Sequence, residues 1–161
     1  MREDILNVIE TNSRISMEEL AVRLGADKEQ VVDEITAMEK EGVICGYNTL
    51  INWDNMDCDK VTALIEIKVT PQRGQGFEKI AERIYKFDEV ESVYLMSGGY
   101  DLTVFIRGKN MKEISNFVWN KLAPLESVTS TATYFVLKKY KEHGVALVNT
   151  AKEDERMLIA P

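Results

Sequence analysis

The stretch GADKEQVVDEITAMEKEG, from Gly25 to Gly42, carries the start, spacing and stop signals of one helix. Asp27 is a favoured N-cap residue, and Gly42 suits the left-handed conformation that ends many helices. Between them, the apolar residues recur at the spacing of one helical face and predict its buried stripe, which is Val31, Val32, Ile35 and Met38. The short connection at Gly25 and Ala26 indicates that another helix comes directly before this one.

Two shorter helices are predicted upstream. The first runs from Arg2 to Glu10. Ser16, followed three residues later by Glu19, is a capping-box pattern that starts a second helix. Three helices with a short turn between the last two predict a helix-turn-helix. The alternating segment from Val43 to Asn52 predicts a strand or a wing that leads out of this module.

Beyond a loop-like linker, the apolar spacing changes from the helical period to the alternation of strands. The predicted strand, helix, strand, strand, helix and strand are Val61–Val69, Phe77–Tyr85, Val90–Met96, Leu102–Arg107, Met111–Leu122 and Val128–Lys139. The glycine-containing stretch PQRGQG, at 71–76, is interpreted as a strand-to-helix connection rather than a phosphate cradle. This βαββαβ order is the ferredoxin-like split motif, so we expect an α+β protein with a four-stranded antiparallel sheet.

The chain therefore divides into four predicted parts. A winged helix-turn-helix domain occupies residues 1–50, and the linker occupies 51–60. A ferredoxin-like domain follows at 61–141, and a C-terminal tail at 142–161.

The predicted sheet has consequences for association. Both crossover helices should cover one face of it, which leaves the other face open. Strand alternation assigns four apolar residues to that open face: Leu64, Phe105, Phe135 and Leu137. Monomers rarely leave so much apolar area in water, so we expect two sheets to meet in a homodimer. The alternative is that the helical domain folds back over the sheet.

The composition excludes several classes of protein. Hydrophobic residues at 45% and charged residues at 29% are typical of folded globular chains. No apolar run approaches the roughly 18 residues that span a bilayer, so we expect a cytoplasmic protein with no membrane contact. One histidine and two isolated cysteines predict no metal site, and no nucleophile and base stand at suggestive spacing. We therefore expect neither a cofactor nor an enzyme.

Three stretches carry a resemblance to a known family: EGVICGYNTLIN at 41–52, SGGYDLTVFIRG at 97–108 and TSTATYFVLKKYK at 129–141. Joined in this order to a helix-turn-helix and a βαββαβ domain, they resemble the Lrp/AsnC family of bacterial and archaeal regulators over nearly the whole chain. The resemblance implies an N-terminal DNA-binding domain and a C-terminal RAM domain for regulation of amino-acid metabolism. It also implies dimers that often assemble into octamers, with small effectors such as amino acids bound between subunits.

The resemblance places the effector site at the central hairpin, on Ser97, Gly98, Gly99, Tyr100 and Asp101. Gly98 and Asp101 match the family's Gly-x-x-Asp pattern. Two glycines allow positive backbone torsions and close approach of another chain, and Asp101 offers a carboxylate that can pair with a ligand ammonium. The residues alone allow a second interpretation, a Gly-Gly hairpin followed by an aspartate that bonds nearby backbone amides.

The predicted recognition helix is acidic where members of the family usually place several arginines. Residues 1–50 hold five basic and eleven acidic side chains, a net charge of −6 out of −7 for the whole chain. The candidate DNA contacts are Arg14, Ser16, Arg23, Lys28, Gln30, Thr36 and Lys40. Among them, Lys28 and Gln30 can address guanine and adenine edges, while Arg14 and Arg23 are suited to phosphates.

Two functions stay open at this point. The first is a sequence-specific transcriptional regulator that binds double-stranded DNA and responds to an amino acid, with paired heads that compensate for weak individual contacts. The second is a family member with weak or lost DNA binding that acts as a ligand-sensing or protein-interaction module, because DNA affinity depends on Lys and Arg. Catalysis is not expected from these residues, although some proteins similar to this family are haem-pathway decarboxylases.

Overall fold

A computed structural model describes residues 1–56, 58–70 and 76–148. The chain divides into two compact units, Met1–Ile51 and Asn52–Pro161, named here the head unit and the sheet unit. Most of the predicted connection at 71–76 and the tail beyond residue 148 lie outside the described residues. Among the described residues, no helix is long and apolar enough to cross a membrane.

The head unit contains the three predicted helices: α1 (Arg2–Thr11), α2 (Met17–Leu24) and α3 (Lys28–Lys40). The Ser16 hydroxyl oxygen accepts a hydrogen bond from the backbone N–H of Glu19 at 3.1 Å and starts α2. The Asp27 carboxylate accepts one from the N–H of Glu29 at 2.9 Å and starts α3. These side chains satisfy amide donors that a helix leaves unpaired at its first turn.

A single apolar cluster holds the three helices together. Its buried members are Ile5, Val8, Ile15, Leu20, Ala21, Val31, Ile35, Met38 and Ile44. The predicted stripe of α3 is therefore right at three positions and wrong at Val32, which is 38% exposed. Each residue turns an α-helix by about 100°, so Val32 points well away from its buried neighbour Val31.

The strand or wing predicted from Val43 to Asn52 is wrong, because this segment forms no regular strand. After the left-handed turn at Gly42, the backbone N–H groups of Val43 and Ile44 both donate to the carbonyl of Met38, at 2.9 and 3.2 Å. The chain therefore folds back over the end of α3 and buries Ile44 there. Alternation makes a strand only beside a partner strand, and the described residues of the head unit offer none.

The sheet unit confirms the predicted βαββαβ order. It comprises β1 (Val61–Val69), α4 (Glu78–Tyr85), β2 (Val90–Leu95), β3 (Leu102–Gly108), α5 (Met111–Phe117) and β4 (Val128–Phe135). A π-helical turn at Val118–Leu122 extends α5. The four strands are ordered β2-β3-β1-β4, and every neighbouring pair is antiparallel.

The last strand is shorter than predicted and ends at Phe135 rather than Lys139. Its final pairing is with Ala63 of β1, followed by one bond from the Val136 N–H to the Thr62 carbonyl at 2.9 Å. Because β1 begins at Val61, residues after Val136 have no pairing partner on that strand.

The core of the sheet unit lies between one face of the sheet and the two helices. Its buried members are Ala63, Ile65, Ile67, Val69, Ile80, Ile84, Leu102, Val104, Ile106, Ile114, Phe117 and Leu122. The fully buried odd-numbered residues of β1 confirm the alternation predicted for that strand.

The opposite face of the sheet is the open face. Residues paired across antiparallel strands share a face. Leu64 pairs with Phe105 and Tyr134, so these three lie on the open face. Phe135 was assigned wrongly, because it pairs with the buried Ala63 and packs against the core. Leu137 lies beyond the end of β4 and is 90% exposed.

A small hairpin of β5 (Lys141–Glu142) and β6 (Val145–Ala146) follows β4. His143 and Gly144 make its turn, both with positive φ. The amide Nδ2 of Asn52 donates to the carbonyl of Leu147 at 2.8 Å. This bond ties the described part of the predicted tail to the first residue of the sheet unit.

One ion pair in this unit makes stability depend on acid pH. Lys121 Nζ lies 2.5 Å from Glu89 Oε1 and holds the pKa of that carboxyl below its ordinary value of 4.5. A carboxyl whose pKa is lowered by folding stabilises the fold above its unfolded pKa, and this stabilisation is lost as the pH falls through the lower folded value.

We expect Glu89→Gln to lower the free energy of unfolding at pH 7 by at most about 1 kcal/mol, since the pair is partly exposed and screened by water. The difference from the unmodified chain should shrink as the pH falls below the ordinary pKa of 4.5, and vanish once Glu89 is protonated in the folded state as well. Urea unfolding followed by circular dichroism at pH 7 and pH 3 measures both values. The control is Asp88→Asn, an exposed neighbour. If both variants lose the same free energy of unfolding at pH 7, the ion pair between Glu89 and Lys121 is not what stabilises the fold.

Candidate functional site

The seven candidate DNA contacts all lie on the surface of the head unit. They are Arg14, Ser16, Arg23, Lys28, Gln30, Thr36 and Lys40, and each is exposed. Four of them belong to α3. Arg14 precedes α2, Ser16 caps the start of α2, and Arg23 lies within it. The fold therefore leaves every candidate accessible, which binding to DNA requires.

The N-terminal ends of α2 and α3 are already capped by their own side chains. Ser16 caps the first with a neutral hydroxyl, which can also donate to a phosphate. Asp27 caps the second with a carboxylate, whose negative charge opposes an approaching phosphate. The start of α2 is thus the better of the two for an anion.

Lys28 is paired within the head unit. Its Nζ lies 2.5 Å from Glu18 Oε1, and the hydrogen bond lowers the pKa of Glu18. Both side chains are more than half exposed, so this pair is weak and salt-sensitive. A guanine or a phosphate can compete with Glu18 for the ammonium group. DNA must therefore displace Glu18 before it can bind Lys28.

Arg2 neutralises two of the carboxylates near the recognition helix. Its Nε lies 2.5 Å from Glu34 Oε2, and its two terminal nitrogens lie 2.7 and 3.1 Å from the Glu41 oxygens. These bonds raise the pKa of Arg2 and lower that of Glu41. The sequence analysis missed this contact, because the partners are separated by 32 and 39 residues and no local pattern connects them.

Asp101 is held at the base of the central hairpin by three hydrogen bonds. Its N–H donates to the Ile67 carbonyl at 3.1 Å, and its carbonyl accepts from the Met96 N–H at 2.8 Å. Its carboxylate Oδ2 accepts from the Val69 N–H at 2.8 Å, where the register of β1 with β4 shifts. The interpretation of Asp101 as an acceptor for backbone amides is therefore observed. A carboxylate has two oxygens, so one bond leaves further accepting capacity.

Gly98 and Gly99 are exposed, and neither has a positive φ. The positive torsions that glycine allows are therefore not used at these two positions. A Cβ atom at either position would meet nothing within 4 Å. Lys68 Nζ donates to the Gly99 carbonyl at 3.2 Å. Neither backbone conformation nor crowding within the described part of this chain requires glycine here, and Ser97 beside them is also exposed.

A tyrosine and a carboxylate that the sequence analysis missed lie on the open face. Tyr134 lies near Glu66, whose negative charge raises the pKa of that tyrosine, with smaller effects from hydrogen bonding to Glu66, from burial and from Tyr100. Glu66 pairs with Thr103 on one side and with Ala132 on the other. The available signal was the charged residue inside the apolar alternation of β1.

The apolar part of the open face surrounds these polar groups. Tyr94 and Phe105 meet edge to face, with ring centroids 6.2 Å apart. Tyr94 and Tyr134 are each about half exposed, at 51% and 53%. Aromatic side chains of this kind are enriched where protein surfaces meet.

The described residues contain no group of three or more His, Cys, Asp or Glu side chains that could hold a metal ion. Cys45 and Cys58 are both free and exposed.

Comparison with known proteins identifies the class to which this architecture belongs. Residues 62–146 match the family described as the Lrp/AsnC ligand binding domain. The HTH-type transcriptional regulator YugG of Bacillus subtilis strain 168, itself uncharacterised, is 48% identical over 159 residues, which cover 98% of this chain and 95% of YugG. The leucine-responsive regulatory protein of Escherichia coli K12 is 28% identical over 149 residues, covering 91% of this chain and 89% of that protein.

Solved structures share the fold. A transcriptional regulator from Neisseria meningitidis in complex with L-Met, NMB0573, has a TM-score of 0.70 at 23% identity, covering 88% of this chain and 90% of that one. The leucine response regulatory protein LrpA of Mycobacterium tuberculosis has a TM-score of 0.75 at 19% identity, covering 91% and 97%.

The chain belongs to the Lrp/AsnC family of transcriptional regulators. The family is not enzymatic, in agreement with the expectation from the sequence.

The bonds of Asp101 generate a prediction about stability. We expect Asp101→Ala to lower the free energy of unfolding by about 1 to 3 kcal/mol, because the Val69 N–H loses its acceptor. Asp101→Asn keeps an acceptor oxygen and should cost less. Urea unfolding of both variants measures the difference. Equal stability of Asp101→Ala and the unmodified chain would show that the bond to Val69 contributes nothing.

Proposed function

We propose that this protein is a sequence-specific DNA-binding regulator that responds to an amino acid or a related small metabolite bound between subunits. The observation that carries the proposal is a helix-turn-helix with accessible candidate contacts, in the same chain as a domain of the Lrp/AsnC ligand-binding family. Residues 1–50 would bind the operator, 51–60 would connect the domains, and 61–141 would dimerise and bind the effector, followed by the tail at 142–161.

The head unit would hold DNA mainly through three cations. Among the described residues, no carboxylate lies within ion-pair distance of Arg14, Arg23 or Lys40, which leaves them available for phosphates. Ser16 at the start of α2 adds a neutral donor. Three cations and a hydroxyl make one head a weak binder, since affinity for DNA scales with the number of phosphates neutralised.

A dimer would compensate for this weakness. The apolar open face around Leu64, Phe105 and Tyr134 is the surface proposed to join two subunits. Once one head is bound, the second searches at a high effective concentration, so two weak contacts act as a strong one. This requires half-sites separated by one or more helical turns of DNA. Further assembly to an octamer would extend the same effect.

The effector would bind beside the central hairpin. Gly98 and Gly99 leave open space there, and Asp101 and Glu66 supply carboxylates near the same end of the sheet. A carboxylate can bind the ammonium group of an amino acid. The Neisseria regulator that shares this fold was solved in complex with L-Met, which supports an amino acid as the class of ligand.

The alternative function is a regulator that has lost strong DNA binding and acts as a ligand-sensing or protein-interaction module. The net charge of −6 in residues 1–50 favours it. The experiment that follows separates the two functions.

We expect the full chain to shift a DNA fragment from upstream of its own gene, with affinity that falls steeply as salt rises. Arg14→Ala and Arg23→Ala should weaken binding to all sequences and each reduce the logarithmic salt slope by about 1. Arg83→Ala, on α4 of the sheet unit, is the control and should leave the slope unchanged. A mobility assay measures these values. Absence of salt-sensitive binding to this and neighbouring promoters would favour the alternative function.

For the effector, we expect one or a few of the twenty amino acids to raise the thermal unfolding temperature of the full chain. Asp101→Asn should abolish the rise, because it removes the charge that pairs with an ammonium group while keeping an oxygen for the Val69 N–H. Asp88→Asn is the matched control and should respond like the unmodified protein. A flat response to all twenty amino acids would contradict the proposed pocket.

A further inference from the structure

The outward face of α3 carries five exposed side chains. Successive residues turn by about 100°, so the side opposite the buried Val31, Ile35 and Met38 can be read directly from the helix. Glu29, Asp33 and Lys40 lie at its centre, Thr36 lies beside them, and the exposed Val32 lies at one edge. This set, named here the outward face, is the part of α3 that would enter deepest into a groove. Of the base readers expected from the sequence, Gln30 lies at the other edge of this face, and Lys28 lies closer to the buried side of the helix.

The two carboxylates of the outward face are free to accept hydrogen bonds. Among the described residues, no cation lies within ion-pair distance of Glu29 or Asp33. By contrast, Glu34 is bonded to Arg2, and Glu18 to Lys28. Glu39, also on α3, accepts a hydrogen bond from the Tyr47 hydroxyl at 2.9 Å. Among the described residues, the α3 carboxylates with no side-chain partner are therefore Glu29 and Asp33, which lie one helical turn apart on the outward face.

The rest of the outward face is apolar over its central turn. The Thr36 hydroxyl donates to the Val32 carbonyl at 2.8 Å, so its methyl group is the part left for another molecule. Val32 is 38% exposed and contributes nothing to the buried core. Two aliphatic groups thus lie beside Asp33, and only Lys40, at the end of the helix, carries positive charge.

The chemistry of the major groove selects what this face can accept. A carboxylate is repelled by phosphates and by the acceptor atoms of guanine and thymine. The complementary groups are the exocyclic amino groups of cytosine and adenine, and adenine presents an acceptor nitrogen beside its amino group. Cytosine is therefore the better partner. Exposed aliphatic groups fit the methyl group of thymine. Cytosine and thymine are both pyrimidines, so these contacts together favour a run of pyrimidines on one strand of the DNA.

We propose that Asp33 and Glu29 determine operator specificity by accepting hydrogen bonds from cytosine amino groups, while Val32 and Thr36 contact neighbouring thymine methyl groups. Each half-site then presents a short pyrimidine-rich strand to α3. The carboxylates act mainly by exclusion, since a wrong base places an acceptor against a negative charge. The proposal rests on DNA binding as the function of the head unit.

The test is selection of binding sites from a random duplex library by the full chain, followed by affinity measurements on single-base variants of the selected site. The proteins are the unmodified chain, Asp33→Asn, Glu29→Gln and Glu10→Gln. The last is the matched control, because it removes the same charge from an exposed position on α1. Circular dichroism verifies that each variant is folded.

We expect the unmodified protein to prefer cytosine at one position in each half-site by on the order of tenfold. Asp33→Asn should move that preference towards adenine, because an asparagine amide matches the donor and acceptor of adenine. Glu29→Gln should change the preference at a neighbouring position. Glu10→Gln should strengthen binding equally for all sequences, as expected for a loss of negative charge alone.

Three results would overturn the proposal. If the unmodified protein binds DNA but both α3 variants keep its base preferences, the specificity assignment is wrong and the proposed function stands. If the preferred base at the affected position is adenine in the unmodified protein, the carboxylate accepts from the other amino group and the assignment to cytosine is wrong. If the unmodified protein selects no sequence at low salt, the proposed function fails and the inference fails with it.

Discussion

The register of β1 is the constraint on which the rest of the sheet unit depends. Ala63, Ile65 and Ile67 are fully buried against the helices, while the strand is paired on both sides. Because side chains alternate, a slip of one residue would move this apolar set to the open face. The same register places Asp101 against Val69 at one end of the strand. The hairpin and the open face are therefore both consequences of how one strand is buried.

The head unit is held together by its apolar cluster, but the charges on its surface decide which ligands it can accept. Its acidic side chains do not form a uniform surface, because Arg2 gathers Glu34 and Glu41 at one place. The free carboxylates Glu29 and Asp33 are thereby distinguished from those that serve the fold. Weak heads of this kind make assembly through the sheet unit a requirement for the proposed function, since only paired heads can raise the local concentration of binding groups.

Much of this fold could be predicted from the sequence because its signals are local. The caps at Ser16 and Asp27, the helical spacing in the head and the alternation of β1 each depend on neighbours within a few residues. The wing after Gly42 was predicted wrongly for the same reason. Local alternation cannot report that Val43 and Ile44 bond back to α3.

The candidate site was harder to predict, because its geometry arises between distant segments. The residues of the hairpin could be named from a motif, but the bond from Val69 to Asp101 spans 32 residues. The pairing of Tyr134 with Glu66 depends on strand register, and so does the assignment of Phe135 to the core rather than the open face. In the head unit, the bond between Lys28 and Glu18 joins α3 to α2. The sequence pattern of either helix alone does not predict which residues of the other helix it contacts.

The central claim is that two copies of this chain join through the open faces of their sheets. Sedimentation velocity of the full chain at micromolar concentration tests it most directly, with Phe105→Asp as the disrupting variant and Val22→Asp, at an exposed position on α2 of the head unit, as the control. We expect dimers or larger assemblies for the unmodified chain and the control, and folded single chains for Phe105→Asp. Single chains throughout, or unchanged assembly of Phe105→Asp, would contradict the claim.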